Sequence, residues 1–117
     1  MFKFPVPYQQ PLRQGDVMLT PLANADLAHC QPVKAIGGRY VLQQGTANGN
    51  CHAVKSRNAK LFQAPATDGL AADRFLVLSK TSVLTHEEHS AIPLDAGTYL
   101  VEIQNEYTPA ALVNVAD

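Results

Sequence analysis

Side chains that can bind a proton or a metal ion are concentrated in residues 85–89, where His86, Glu87, Glu88 and His89 follow one another. Imidazole nitrogens and carboxylate oxygens are common ligands of divalent transition metals. The order of these residues differs from the metalloprotease motif, which spaces two histidines four apart with a glutamate between them, so no protease mechanism is transferred. A metal or catalytic site is one interpretation of the segment. The alternative is a solvated loop, which is the commoner role of charges that follow a strand.

His52 is the third candidate histidine, because it follows a Gly- and Asn-rich loop where the backbone can approach a ligand closely. We predict that His52, His86, Glu88 and His89 hold a divalent transition metal, zinc or iron, with one position left open. Successive side chains of a strand point to opposite faces, which would separate His86 from His89. The prediction therefore requires a break in the strand near Glu87.

A second polar group, Gln104, Glu106 and Tyr107, lies at the end of an alternating strand. Gln104 and Glu106 would share a face, and we predict a ligand-binding role for the three beside the histidines; the alternative is that they only terminate the sheet. Cys51 is next to His52, so the two side chains point to opposite faces of a strand. We expect Cys51 to be a small buried apolar residue and both cysteines to be free thiols.

The elements that must position these groups are short strands separated by glycine and proline. The strands are predicted over residues 17–22, 39–44, 51–54, 74–79, 81–85 and 99–104. No stretch has apolar residues at helical spacing over three turns. The pattern predicts one all-β domain over residues 1–117, a small antiparallel β-barrel or sandwich, with a proline-rich extended arm over residues 1–12. The side chains expected to be buried are Val17, Leu19, Val41, Phe75, Val77, Tyr99, Val101 and Ile103.

Composition excludes several function classes. The 117 residues suit one domain, and the formal net charge is -1. The nine Lys and Arg residues are scattered, which argues against nucleic acid and against an anionic membrane surface. The sequence has no apolar run of about 20 residues, and we expect neither a signal peptide nor a location outside the cytoplasm. The partner, whether a small molecule or a protein, stays open, as does homo-oligomerisation.

Five pieces of the chain resemble a family of small bacterial and phage- or plasmid-borne proteins whose function is not established. They are Arg13-Gln14-Gly15-Asp16-Val17, the loop ending in His52, Leu84-Thr85-His86-Glu87-Glu88-His89, Pro93-Leu94-Asp95-Ala96-Gly97-Thr98-Tyr99 and Gln104-Asn105-Glu106-Tyr107-Thr108-Pro109. In the relatives a second histidine precedes the one that matches His52, in a Gly-His-x-His arrangement, and in this chain Asn50 stands at the position of that second histidine. The resemblance implies a compact β fold and supplies no reaction.

A weaker likeness is to the cupin barrel, in which histidines from two hairpins share one metal. Residues 93–97 are similar to a cupin turn, but the spacing before His52 differs and Asn50 replaces the first histidine. Two hypotheses follow. The first is a small β-barrel that binds a metal ion or small ligand through its His/Glu cluster. The second is a non-catalytic protein-interaction module of phage or plasmid origin. Neither decides whether the protein is an enzyme.

Overall fold

The computed structural model describes residues 10–44, 51–65, 72–104, 106–107 and 112–113. All regular elements in these residues are strands, which confirms the all-β prediction. They are β1 (Leu12–Gln14), β2 (Val17–Leu22), β3 (Gln31–Val33), β4 (Tyr40–Gln44), β5 (Cys51–Val54), β6 (Ala59–Gln63), β7 (Arg74–Leu78), β8 (Ser82–Thr85), β9 (Ile92–Leu94), β10 (Gly97–Ile103), β11 (Glu106–Tyr107) and β12 (Leu112–Val113). No helix long and apolar enough to cross a bilayer occurs in these segments.

The strands form two main antiparallel sheets. One has six strands in the order β1-β2-β10-β7-β6-β3, and the other has four in the order β4-β5-β8-β9. A separate pair joins β11 to β12. Within the described segments no strand of the six-stranded sheet pairs with a strand of the four-stranded sheet, so the two do not close into a barrel. Of the two predicted architectures, the one observed is a pair of packed sheets, and the barrel expected around the site is absent.

The hydrophobic core lies between the two sheets. Leu19 and Tyr99 contribute to it from the six-stranded sheet, and Val54 and Leu84 from the four-stranded sheet. All four are almost fully buried. Burying apolar surface at about 25 cal/mol per Å² is the main stabilising contribution to a fold of this size.

The core prediction was right for β2 and for Tyr99 and Val101 of β10, and it chose the wrong face of β7. Val17, Leu19, Tyr99 and Val101 are buried, whereas Val41, Phe75, Val77 and Ile103 are only half-buried. The buried residues of β7 are Leu76 and Leu78. Tyr99 is paired directly with Leu76, and directly paired residues share a face, so the inward Tyr99 places Leu76 inward. Both faces of β7 are apolar, and its sequence alone could not select one.

Because of a bulge in β4, the buried side chain of this strand is Leu42 and not Val41, which was predicted to be buried. The pairing between β4 and β5 shifts between Val41 and Gln43, which leaves Leu42 as the extra residue, and its side chain is buried. The Leu42 carbonyl accepts a hydrogen bond of 2.6 Å from Nη2 of Arg74, on β7 of the other sheet. Burial lowers the pKa of Arg74 below its ordinary value, and the guanidinium remains protonated. This bond joins the two sheets.

Two predictions lie wholly or partly outside the described residues. Residues 1–9 of the predicted N-terminal arm lie outside the described residues, and Leu12, the last residue of that arm, belongs to β1. The loop that includes Asn50 is also outside, so its expected contribution beside His52 stays a prediction.

Candidate functional site

His52 and His86 are brought together by the register of two neighbouring strands. β5 and β8 are antiparallel, with Ala53 opposite Thr85 and Val54 opposite Leu84. Extending that register by one residue places His52 opposite His86, which follows the last residue of β8. Directly opposed side chains have Cβ atoms about 4.5–5.5 Å apart. The two imidazole centroids are 4.3 Å apart.

The face on which these histidines lie is the inner face of the four-stranded sheet. His52 alternates with Cys51 and Ala53 and shares its face with Val54, which belongs to the core. His52 is 1 % exposed and His86 is 8 % exposed. The two rings therefore extend the core beyond the Val54–Leu84 pair. Cys51, on the opposite face, is buried and has a free thiol, as the sequence predicted.

His89 joins the pair because the chain bends immediately after β8. The backbone N–H groups of Glu88 and His89 both donate to Nδ1 of His86, at 3.0 and 3.3 Å. This local turn breaks the strand where the prediction required a break. It brings the His89 ring to 4.6 Å from His86 and 5.7 Å from His52, measured between centroids. His89 lies at the rim and is less buried than the other two.

One ring nitrogen from each of His52, His86 and His89 lies within 4.8 Å of the other two. In residues 10–44, 51–65 and 72–104, these three form the one group of His, Cys, Asp or Glu side chains with that geometry. Three histidine ligands with a fourth position left to water are the donor set of one class of catalytic zinc sites. The arrangement can therefore hold a transition metal that retains an exchangeable water.

Gln14 holds His52 in one orientation. Gly15, at a φ of 55°, opens the two-residue turn between β1 and β2, and this turn leaves Gln14 at the end of β1. The Gln14 side chain is buried, and its Nε2 donates to the carbonyls of Leu84 at 3.1 Å and Ser90 at 2.9 Å. Its Oε1 lies 2.8 Å from Nδ1 of His52.

This network determines which nitrogen of His52 carries the proton. The Gln14 amide nitrogen already faces two carbonyl acceptors, so Oε1 must accept, and Nδ1 of His52 must donate. In the neutral ring the lone pair is then on Nε2. Metal-bound histidines are generally oriented in this way by a hydrogen bond from their other ring nitrogen.

His86 has the opposite tautomer. Its Nδ1 accepts the two backbone N–H groups, so the proton of the neutral ring is on Nε2. That Nε2 is buried and contacts no hydrogen-bond acceptor in the described part of the chain. A buried polar group without a partner costs about 1–3 kcal/mol and is rare in native proteins. A ligand bound at Nε2 would remove this cost.

The remaining predicted site residues are not part of the histidine group. The Glu88 side chain is exposed, and only its backbone N–H contacts His86. Glu87 binds instead to the backbone: its Oε1 accepts from the Cys51 N–H at 3.0 Å. Gln104 contacts Asp16 through its backbone and Met18 through its side chain. The side chains of Glu106 and Tyr107 lie outside the described residues, and the predicted ligand role of this second group is untested.

Gln14 is the site residue that sequence reasoning missed. Its type carries little signal, since a neutral amide at a strand end usually faces solvent. The available signal was its place in residues 13–17, one of the pieces that resemble the family, directly before the Gly15-Asp16 turn.

The fold and the site together define a class: a two-sheet all-β domain with three histidines at one end of its core. Residues 13–104 match the family model described as Domain of unknown function (DUF8820), and the chain belongs to this family. The match includes Gln14 and all three histidines. No curated protein and no solved structure matches the chain significantly.

Proposed function

We propose that this protein binds one divalent transition metal ion, zinc or iron(II), through His52, His86 and His89. The observation that carries the proposal is the convergence of three ring nitrogens within 4.8 Å. Imidazole is a preferred ligand of both metals. Glu88, which the sequence also nominated, is left out of the ligand set because its side chain is exposed while the imidazoles converge without it.

The distances require the rings to close on the ion. Zinc–nitrogen bonds of about 2.0–2.1 Å at a tetrahedral centre place ligand nitrogens roughly 3.4 Å apart. Nitrogens separated by as much as 4.8 Å must therefore approach one another by up to about 1.4 Å. His89 is in the bend after β8 and not in a strand, so it is the ligand that can move with the least disturbance of the sheets.

Binding through Nε2 of His86 also moves a proton. A metal ion at Nε2 would displace the proton that this nitrogen carries in the neutral ring. That proton would pass either to solvent, which leaves an imidazolate, or to Nδ1, which would then release the N–H groups of Glu88 and His89. By contrast His52 already presents the lone pair of Nε2, because Gln14 holds the proton on Nδ1. The site is thus preorganised at His52 and adjusts at His86.

Elemental analysis of protein purified without an affinity tag tests the proposal. We expect close to one equivalent of zinc or iron per chain, because three imidazoles at this spacing suffice for a catalytic-type site. Chelator-treated protein should take up one equivalent of Zn²⁺ and gain thermal stability, since a ligand that binds only the folded state stabilises it. Metal-free protein that neither takes up Zn²⁺ nor gains stability would contradict the proposal and leave the interaction-module hypothesis.

Gln14→Met is expected to lower the affinity for Zn²⁺ by about 10–100-fold, the usual cost of losing the partner that orients a metal-bound histidine. Methionine occupies a similar volume, but its sulfur is only a weak acceptor for Nδ1 of His52 and it cannot donate to the Leu84 and Ser90 carbonyls. The measurement is competition with a chromophoric chelator.

Glu88→Gln is the matched control for Gln14→Met, because it removes an exposed carboxylate from the same end of the fold. We expect its Zn²⁺ affinity to stay within about threefold of the parent protein, as for a screened surface charge. A loss in Glu88→Gln as large as that in Gln14→Met would return Glu88 to the ligand set. Circular dichroism of both variants checks that the fold is retained.

A further inference from the structure

A second feature, independent of the histidines, is an open cleft of about 600 Å³ where the two sheets meet. We name it the basic cleft and define it by six of its lining residues: Gly38, Tyr40, Lys55, Ser56, Arg57 and Lys60. Tyr40 belongs to β4 of the four-stranded sheet, and Lys60 belongs to β6 of the six-stranded sheet. The turn over residues 55–58 connects β5 to β6. Its volume is in the range of small-molecule sites, about 300–1,000 Å³.

The charged side chains that line the basic cleft are all cations. Residues 27–67 include no Asp or Glu but five basic residues. They are Lys34, Arg39, Lys55, Arg57 and Lys60. Three of the five line the cleft, and no carboxylate is among its described lining residues. A concave surface lined by one sign of charge concentrates oppositely charged ligands.

The cations of the cleft have no ion-pair partner among the residues that the structure describes. Lys55, Arg57 and Lys60 are exposed, and none forms an ion pair with a described residue. The other four cations of the chain lie outside residues 27–67, and so do all ten of its carboxylates. Three cations that form no ion pair with a described residue therefore lie at one cleft, in a chain with a net charge of -1.

The turn that presents the cations is held in place by hydrogen bonds. The Oγ of Ser56 accepts from the Asn58 N–H at 3.0 Å and lies 3.1 Å from Oγ of Ser82 on β8. The carbonyl of Ser56 accepts from the Ala59 N–H at 3.3 Å. The backbone that carries Lys55 and Arg57 is therefore ordered before a ligand binds, so the conformational entropy lost on binding is mainly that of the side chains.

We propose that the basic cleft binds a small phosphorylated molecule. Phosphate oxygens carry enough charge to engage all three cations, and arginine contacts them through two parallel N–H donors. The volume of the cleft admits a ligand larger than inorganic phosphate, and Tyr40 adds a ring and a hydroxyl to its wall. The site is distinct from the histidine group and does not depend on a bound metal.

The test is a titration of the full chain with inorganic pyrophosphate at constant ionic strength, followed by ¹H–¹⁵N NMR. We expect saturable shifts confined to the backbone amides of Gly38, Tyr40 and residues 55–60. Arg57→Gln and Lys60→Gln should each weaken binding by about tenfold, the usual effect of losing a charge-assisted hydrogen bond. Lys80→Gln, which removes one exposed cation outside the cleft, should leave the affinity unchanged.

Two further arms distinguish the basic cleft from a metal-chelating site and from a nucleic-acid site. Because pyrophosphate also chelates metal ions, the titration is repeated with metal-free His89→Ala, in which we expect the same affinity. A single-stranded oligothymidine is titrated in parallel, and we expect it to bind no more tightly than pyrophosphate. The proposal is overturned by non-saturating shifts, by equal losses in Lys80→Gln and Lys60→Gln, by loss of binding in His89→Ala, or by an oligonucleotide affinity more than tenfold above that of pyrophosphate.

Discussion

We expect His89→Ala to weaken Zn²⁺ binding by well over 100-fold, since the loss of a residue that only orients a metal ligand already costs about 10–100-fold. His89 supplies one of three converging nitrogens. Without it only two imidazoles remain, and a catalytic-type zinc site needs three protein ligands. It is also the least buried of the three, so alanine at this position leaves the core intact. Affinity is measured by chelator competition and stoichiometry by elemental analysis.

His29→Ala is the matched control for His89→Ala. His29 is exposed and does not belong to the histidine group, so its removal should leave the Zn²⁺ affinity and the stoichiometry unchanged. His52→Ala, which removes the histidine ligand that lies in β5, should lower the Zn²⁺ affinity as much as His89→Ala does. Full Zn²⁺ affinity in both His52→Ala and His89→Ala would exclude a metal centre built on these residues.

Leu76→Ala is expected to lower the free energy of unfolding by about 2–5 kcal/mol, which is the usual cost of truncating a buried leucine. Leu76 is 0 % exposed and lies in the centre of the six-stranded sheet, paired with Tyr99 on one side and Leu61 on the other. The cavity left by alanine is enclosed by these neighbours and by the opposite sheet. Urea denaturation of the metal-free protein measures the change.

The adjacent residue provides the contrast. Phe75→Ala removes more atoms, but Phe75 is only half-buried, so we expect a smaller loss than in Leu76→Ala. Val83→Ala, at a side chain that is 43 % exposed, should change stability by less than about 1 kcal/mol. A larger loss in Phe75→Ala than in Leu76→Ala would show that the inner face of β7 has been assigned to the wrong residues.

Secondary structure was predictable because it depends on local signals. The short apolar runs bounded by glycine and proline predicted β2 and β5 with the observed bounds, and β7 and β8 to within one residue at one end. What failed was the choice of face where both faces are apolar, as in β7, or where a bulge shifts the register, as at Leu42. In both places the pairing partner decides the face, and partners are set by strands far away in the sequence.

The charge distribution shows a similar limit. Along the chain the cations are spaced too widely to resemble a basic stripe, and the sequence therefore favoured no anionic partner. Folding places the turn over residues 55–58 beside the starts of β4 and β6, which collects Lys55, Arg57 and Lys60 at one cleft. The absence of acidic residues from 27 to 67 was visible in the sequence and was the signal that could have predicted it.

For the candidate site, the sequence by itself determined which residue types were available: His52, His86 and His89, with a break required near Glu87. Only the tertiary structure decided how they combine. The β5–β8 register opposes His52 to His86, the bend after β8 returns His89, and Gln14 arrives from the other sheet to fix the tautomer of His52. The physical reason is that side-chain type is a local property, whereas a ligand set requires distances of a few ångströms between residues as far apart as 14 and 90, and only the pairing of strands and the packing of sheets set those distances.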